Sequence, residues 1–307
     1  MDGEEGDIMG CLIPVRGKNL YIEDRGQEHQ EALLYLHGGP GASCLDFSVY
    51  QAKELSKRIR VISMDQRGVL RSDPIEEDEP FGLDDLIRDC EVLRQMLGIT
   101  QWSVLGHSFG GYVALIYAFE HPEAVKKVLY EAPSFDLKLS GKSLFRHALQ
   151  ILEETGNQEA IMECAQVLNR DLSASDYLSA WIEFSKKYLG EQTDSLYVKN
   201  IDPNDLNKIY QDANLGQEFW ERGYTHTRKL LKERKLNESL LALIPKVHQP
   251  SLLIYGHYDP VCCPIQKDYF QNHAPNGRVI RFENSAHMPR LEEPQKYTKV
   301  ILDFMFQ

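Results

Sequence analysis

From Cys11 to Pro133, short β-rich runs alternate with helical patterns, and this alternation constrains the fold more than any other feature of the chain. CLIPV (11–15), LYIED (20–24), EALLYLHGG (31–39), RIRVISMDQRG (58–68), WSVLGHS (102–108) and KKVLYEAP (126–133) read as strands. Several are continuously apolar, as strands covered on both faces must be. Between them, GLDDLIRDCEVLRQMLGI (82–99) carries apolar residues at helical spacing, with acids early and arginine late, in accord with the helix dipole. GGYVALIYAFEHP (110–122) is apolar nearly all round and stops at Pro122, so it reads as a buried helix. Strands alternating with helices imply a mostly parallel sheet built from right-handed crossovers.

The texture then changes. From PSFDLKLSG (133–141) to LIPKV (243–247) the β-rich runs vanish and helical patterns follow one another. Sheet texture returns with QPSLLIYGHYDP (249–260) and GRVIRFENSAH (277–287), and EEPQKYTKVILDFMF (292–306) reads as a last helix. No Pro/Gly/Ser-rich borders flank the helical block, as linkers to an independent domain would. The expected organisation is a core at 1–133, a helical cap at 134–247 inserted between two strands of the same sheet, and a second core segment at 248–307.

Composition narrows the function. The 307 residues carry a net charge of −12, which disfavours a partner rich in phosphate and sets nucleic-acid binding aside. MDGEEGDIMG at the N-terminus lacks the basic and apolar regions of a secretory signal, and no apolar run approaches the ~20 residues of a membrane span. The six cysteines show no CxxC pair and no framework spacing, so they read as reduced thiols, and the expected location is the cytoplasm with no membrane partner.

Gly106-His107-Ser108-Phe109-Gly110 fits G-x-S-x-G, a weak pattern by itself. It gains weight from lying between a strand and a helix. A sharp turn there lifts the serine clear of the backbone and sets it near the positive end of the helix dipole. A serine hydroxyl is a poor nucleophile at neutral pH and needs a base, which in turn needs an orienting acid. Both are expected just past strand ends, in the order Ser, acid, His. Asp259 follows LLIYG and His287 follows VIRF, so Ser108, Asp259 and His287 form the candidate triad. Glu131, after KKVLY, is the alternative acid; His257 and His273 are alternative bases.

Attack on an acyl carbon develops an oxyanion, which backbone N–H groups about 3 Å away can stabilise. Phe109, the residue after the serine, supplies one. HGGPG (37–41), the loop after the third strand, supplies the other: Pro40 has no N–H, so Gly39 is the favoured donor and Gly38 the second. His37 is expected to brace this loop. No metal-ligand spacing occurs, and the chemistry calls for no cofactor.

HGGPG (37–41), DQRG (65–68), GHSFGG (106–111), YGHYDP (255–260) and SAHMPRLEEP (285–294) together resemble serine α/β-hydrolases of the prolyl aminopeptidase (proline iminopeptidase) group, over about two-thirds of the chain. The resemblance implies the α/β-hydrolase fold with an inserted helical cap, the triad above and an oxyanion hole at Gly39 and Phe109. It implies that Asp65 and Arg67 fix the loop. It also implies a cap glutamate for the substrate's free amine: NLGQEFW (214–220) resembles the cap motif and would supply Glu218, with Trp220 and Gly38 as further substrate contacts. Two positions depart from the group. Pro260 stands where some members carry a glutamate after the catalytic aspartate, and Leu70 stands where a glycine is usual.

The expected function is therefore a serine hydrolase that removes an N-terminal residue from short peptides or small amides through an acyl-enzyme. An esterase or lactonase acting on small uncharged acyl compounds is the alternative, motivated by Pro260 and by the cap aromatics Trp181, Phe184, Tyr188, Phe219 and Trp220. A non-catalytic ligand-binding protein is the third reading.

Overall fold

The structure, a computed structural model, describes residues 10–307; the first nine residues, read above as lacking a signal, lie outside them. Eight strands form one sheet: β1 (Cys11–Val15), β2 (Lys18–Arg25), β3 (Ala32–Leu36), β4 (Arg60–Met64), β5 (Trp102–His107), β6 (Val125–Glu131), β7 (Ser251–Gly256) and β8 (Gly277–Phe282). Their order is β1-β2-β4-β3-β5-β6-β7-β8. All pairs from β4 to β8 are parallel, while β1–β2 and β2–β4 are antiparallel. The hairpin joining β1 to β2 turns at Arg16 and Gly17, both at positive φ (47° and 79°), the geometry that matches strand twist in a two-residue turn.

The apolar strands are double-sided. Leu34, Leu36, Ile62 and Val104 pack with the helices α1 (Leu83–Met96) and α2 (Phe109–Glu120). Leu33, Tyr35, Val61 and Leu105 pack on the other face against residues 45–55 and a C-terminal helix, Pro294–Met305. Alternate residues of one strand thus enter two separate cores, which is why these runs show no polar alternation.

Between β6 and β7 the described residues contain no strand. Five helices follow one another: α3 (Leu137–Thr155), α4 (Gln158–Leu168), α5 (Ala174–Phe184), α6 (Pro203–Asp212) and α7 (Gln217–Glu233). Three start on polar caps, where Asp136, Asn157 and Ser173 side chains accept from Leu139, Ala160 and Asp176 N–H. Phe145, Tyr177, Trp181 and Phe184 make a separate apolar core among these helices. The sheet resumes at β7; α8 (Pro264–His273) then leads into β8, and the C-terminal helix noted above is α9. No helix among the described residues is long and apolar enough to cross a membrane.

Candidate active site

Ser108 stands between β5 and α2 at φ 54°, ψ −118°, a conformation that costs a non-glycine residue about 1–3 kcal/mol and must be held by its surroundings. They hold it from three sides. Ser108 N–H donates to the Glu131 carbonyl (2.9 Å), and its own carbonyl accepts from Gly111 N–H (2.9 Å) and Ser134 N–H (3.1 Å). The flanking glycines are required by contact. A Cβ on Gly106 would lie 2.2 Å from the Gly110 oxygen, and one on Gly110 would lie 2.1 Å from the Leu36 oxygen. The G-x-S-x-G pattern is thus the imprint of a strand, a turn and a helix pressed together.

Asp259 leaves the end of β7 with a buried carboxylate. Oδ1 accepts from Val261 N–H (2.9 Å) and Oδ2 from Cys262 N–H (3.2 Å), while His287 Nδ1 lies 2.9 Å from Oδ1. His287 follows β8. Its N–H donates to the Tyr197 carbonyl of the helical segment (2.9 Å), and its carbonyl lies 3.1 Å from His107 Nε2. Burial pushes the His107 imidazole well below its ordinary pKa, so that ring stays neutral and packs 4.7 Å from the His287 ring. With Nδ1 turned to Asp259, Nε2 is the nitrogen His287 has free, and Ser108 and His287 line the same cavity. The alternatives sit elsewhere. Glu131 is fully buried and accepts from Arg290 N–H, Arg290 Nη1–H and Tyr297 O–H, at 3.0–3.2 Å. His257 and His273 are both exposed.

The HGGPG loop closes the other side. His37 Nε2 accepts from Gln66 N–H (3.0 Å), so Nδ1 carries the proton and donates to the Gly38 carbonyl (2.9 Å). Burial lowers the pKa of this ring too, and it braces the loop as a neutral group. Gly38 abuts the nucleophile: a Cβ there would lie 3.0 Å from Ser108 Cβ. Gly39, at φ 111°, lines the cavity together with Phe109, whose N–H belongs to the unpaired first turn of α2. Asp65 and Arg67 are structural anchors. Asp65 accepts from Cys44 N–H (3.0 Å) and Arg71 Nε–H (2.6 Å), and Arg67 forms a two-point pair with Asp89, both bonds 2.8 Å.

The cavity has a volume of about 400 Å³. Its core wall is the HGGPG loop, the Ser108 turn and His287; its helical wall includes Leu144, Leu178, Trp181, Ile182 and Tyr210. A second recess of about 310 Å³, bounded by Leu70, Phe219 and Trp220, shares Ala42, Ser43 and Tyr210 with it.

With this geometry in hand, similarity to known proteins becomes informative. The family described as the alpha/beta hydrolase fold matches residues 31–294. A proline iminopeptidase from Lactobacillus delbrueckii subsp. bulgaricus is 30% identical over 312 aligned positions, covering 95% of this chain and 96% of its own. The chain belongs to the α/β-hydrolase family, in its proline iminopeptidase group. A second relative, the proline iminopeptidase of Heyndrickxia coagulans, is 29% identical and covers 89% of this chain and 90% of its own. Among solved structures, a proline iminopeptidase-related protein from Thermus thermophilus superposes with a TM-score of 0.76 at 20% identity, covering 96% of each chain, which speaks to the fold. Membership of this family makes the chain a serine hydrolase.

Two expected substrate contacts of this α/β-hydrolase lie outside the main cavity. Glu218 is exposed in the first turn of α7, and its carboxylate folds back over Gly216, where the N-terminal end of the helix attracts it. Trp220 lines the second recess instead, its Nε1–H donating to the Leu215 carbonyl (3.3 Å). Of the cap aromatics, Trp181 reaches the cavity; Phe184 is buried in the cap core, and Tyr188 donates to Glu163 on α4 (2.6 Å).

What the sequence reading missed is the clamp formed by α7. Arg222 donates to the Leu70 and Ser72 carbonyls (3.0 and 2.8 Å), His226 Nδ1 donates to the Arg67 carbonyl (2.7 Å) and Thr227 Oγ1 donates to the Pro40 carbonyl (2.9 Å). At Gly223 the helix meets Gly41 backbone to backbone: a Cβ on Gly41 would lie 2.5 Å from the Gly223 oxygen. These residues recur at helical spacing in RGYTHT (222–227), a face whose polar character hid its docking role. Leu70, where the group resemblance expects glycine, keeps a positive φ of 39° and is buried against Phe219 and Trp220. Arg290 and Asp46 were also missed; they pair at 2.6 Å on the cavity wall.

Proposed function

We propose that Ser108, His287 and Asp259 carry out acyl transfer through a serine acyl-enzyme, and that the physiological reaction is removal of an N-terminal residue, proline among them, from short peptides or small amides. The observation carrying this reading is His287 held by Nδ1 against Asp259 at the rim of a cavity shared with a serine at positive φ. His287 Nε2 takes the Ser108 proton as the hydroxyl attacks, then passes it to the leaving amine. Asp259 keeps the imidazole in the required tautomer and stabilises its charged form. The N–H groups of Gly39 and Phe109 receive the oxyanion. A water activated by the same histidine releases the acyl group. The bounded cavity admits a short substrate, and the similarity to proline iminopeptidases supports the amide reading.

A fluorophosphonate probe tests the nucleophile. The expected result is stoichiometric labelling of Ser108 at pH 8, lost in Ser108→Ala; an unlabelled chain would return the protein to the non-catalytic reading. Esterase activity is the second reading, favoured by Pro260 and by the position of Glu218 outside the cavity. Proline arylamide and p-nitrophenyl butyrate, assayed on one preparation, separate the two.

A further inference from the structure

The cavity wall holds a charged cluster that acyl transfer does not use. Arg290, 2% exposed and three residues past His287, donates from Nη1 to Glu131 Oε1 (3.1 Å) and from Nη2 to Asp46 Oδ2 (2.6 Å). Glu131 is well supplied with donors, since Oε1 also accepts from Arg290 N–H and Oε2 from Tyr297 O–H. Asp46 is not. It is 5% exposed, it lines the cavity, and its Oδ1 is buried with no hydrogen-bonding partner among the described residues. The hydroxyl of Tyr35, whose ring stacks on Phe47 at 3.8 Å, is likewise buried without a partner on the same cavity.

Charge decides what these orphan groups want. One guanidinium faces two carboxylates, +1 − 2 = −1 with both ionised, so the wall carries an excess negative charge. A buried carboxylate oxygen without a donor is costly, and the lack is met by a ligand that brings a charged N–H. Arg290 Nε is also unpartnered, which would suit an anion, but the excess carboxylate opposes one. Burial pushes the Glu131 carboxyl up; with a proton on Glu131 the cluster is neutral, and Asp46 Oδ1 still lacks its donor. No other described residue lining the cavity carries a carboxylate.

We propose that Asp46 Oδ1, with the Tyr35 hydroxyl, is the subsite that receives the protonated amine of the substrate, so that the core rather than Glu218 of the cap selects for a free N-terminus. This rests on the aminopeptidase reading above and names the residues that would recognise its substrate. The substrate class is a short peptide or amide with a primary or secondary ammonium group next to the scissile carbonyl.

The test is binding, read by calorimetry on the full chain carrying Ser108→Ala so that nothing is turned over. Three probes of similar shape are compared at pH 7: prolinamide (cation), cyclopentanecarboxamide (neutral) and cyclopentanecarboxylate (anion). The expected result is prolinamide bound about 10- to 100-fold more tightly than the neutral amide, the size of a charge-assisted hydrogen bond. Asp46→Asn, which keeps an oxygen for Arg290, should bring the two amides within about twofold while leaving binding of the neutral one unchanged; a structural role alone would weaken both together. If Asp46→Asn does not fold, Tyr35→Phe decides: a threefold or greater loss confined to prolinamide supports the subsite. Equal binding of the two amides, tighter binding of the anion, or a cation preference untouched by the variant that folds overturns it. Catalysis is read separately. Labelling at Ser108 without a cation preference sinks this proposal alone, and a cation preference in a chain that fluorophosphonate leaves unlabelled sinks the acyl-enzyme reading alone.

Discussion

Core and cap furnish the two walls of one cavity, but they hold their residues by different forces. On the core side, Ser108, Asp259 and His287 sit at the ends of β5, β7 and β8, each locked by backbone hydrogen bonds, and the close contacts at Gly106 and Gly110 are backbone against backbone. On the cap side, Leu144, Leu178 and Trp181 are held by packing among α3, α4 and α5, and the neighbours are mostly side chains. Backbone at a strand end cannot shift without breaking the sheet, whereas packed helices adjust by small rotations. The core is therefore suited to chemistry, which tolerates little misplacement, and the cap to substrate choice, which tolerates variation. Only α7 crosses this division, clamping both active-site loops through Arg222, His226 and Thr227.

The sharpest way to break the comparison is to remove a core side chain. Ser108→Ala should lower kcat about 10⁴- to 10⁶-fold on both an arylamide and an ester, with the melting temperature little changed. A cap wall substitution, Leu178→Ala, should shift relative KM values among acyl groups and move kcat less than about tenfold.

Acid should unfasten the clamp. Burial holds the His226 imidazole down to about 3, so it is neutral in the folded protein, while in the unfolded chain it titrates near its ordinary value of 6.5. The unfolded state thus binds the extra proton. Stability is intact above pH 6.5 and falls as pH drops toward 3, by about 1.4 kcal/mol per unit at most for this group. His37 and His107, also lowered by burial, act in the same direction. Urea unfolding at pH 7.5 and pH 5 measures the total. A His226→Gln chain that keeps the full slope would remove this residue from the account.

Glycine substitutions compare the walls directly. Gly110→Ala meets the Leu36 and His37 backbone oxygens at 2.1 and 2.7 Å and should cost about 3 kcal/mol or more. Gly141→Ala in α3 meets the Tyr177 side chain at 2.8 Å and gains helix propensity, so its net cost should stay near 1 kcal/mol. Equal costs, by thermal or urea melts, would mean that the cap is as rigid as the core.

The smallest effect is expected at Glu218. Exposed and outside the cavity, Glu218→Gln should leave KM for amino-acid arylamides within about twofold of the parent, as for other surface substitutions. A tenfold rise would return amine recognition to the cap.

Much of the core was legible because its signals are local. Continuous apolar runs announce strands covered on both faces, and Gly106 and Gly110 announce a turn that excludes Cβ atoms. Asp259 and His287 could be singled out because each follows a strand immediately. Glu218 misled for the opposite reason. Its motif identifies a helix start, but which way a first-turn carboxylate points depends on the helix terminus beside it. The antiparallel β1–β2 hairpin was legible as two strands but not as an edge, since its direction comes from the turn at Arg16 and Gly17.

By itself the chain's order of residues determined the layered sheet, the helical insertion and the residue types able to transfer an acyl group, because periodicity and tight turns depend on near neighbours. Only the tertiary structure decided which charges meet. Asp46, Glu131 and Arg290 lie up to 244 positions apart, and no pattern along the chain signals their convergence on one wall. Long-range pairing follows from how the sheet twists and the loops dock, and there the substrate-recognising half of the site is made.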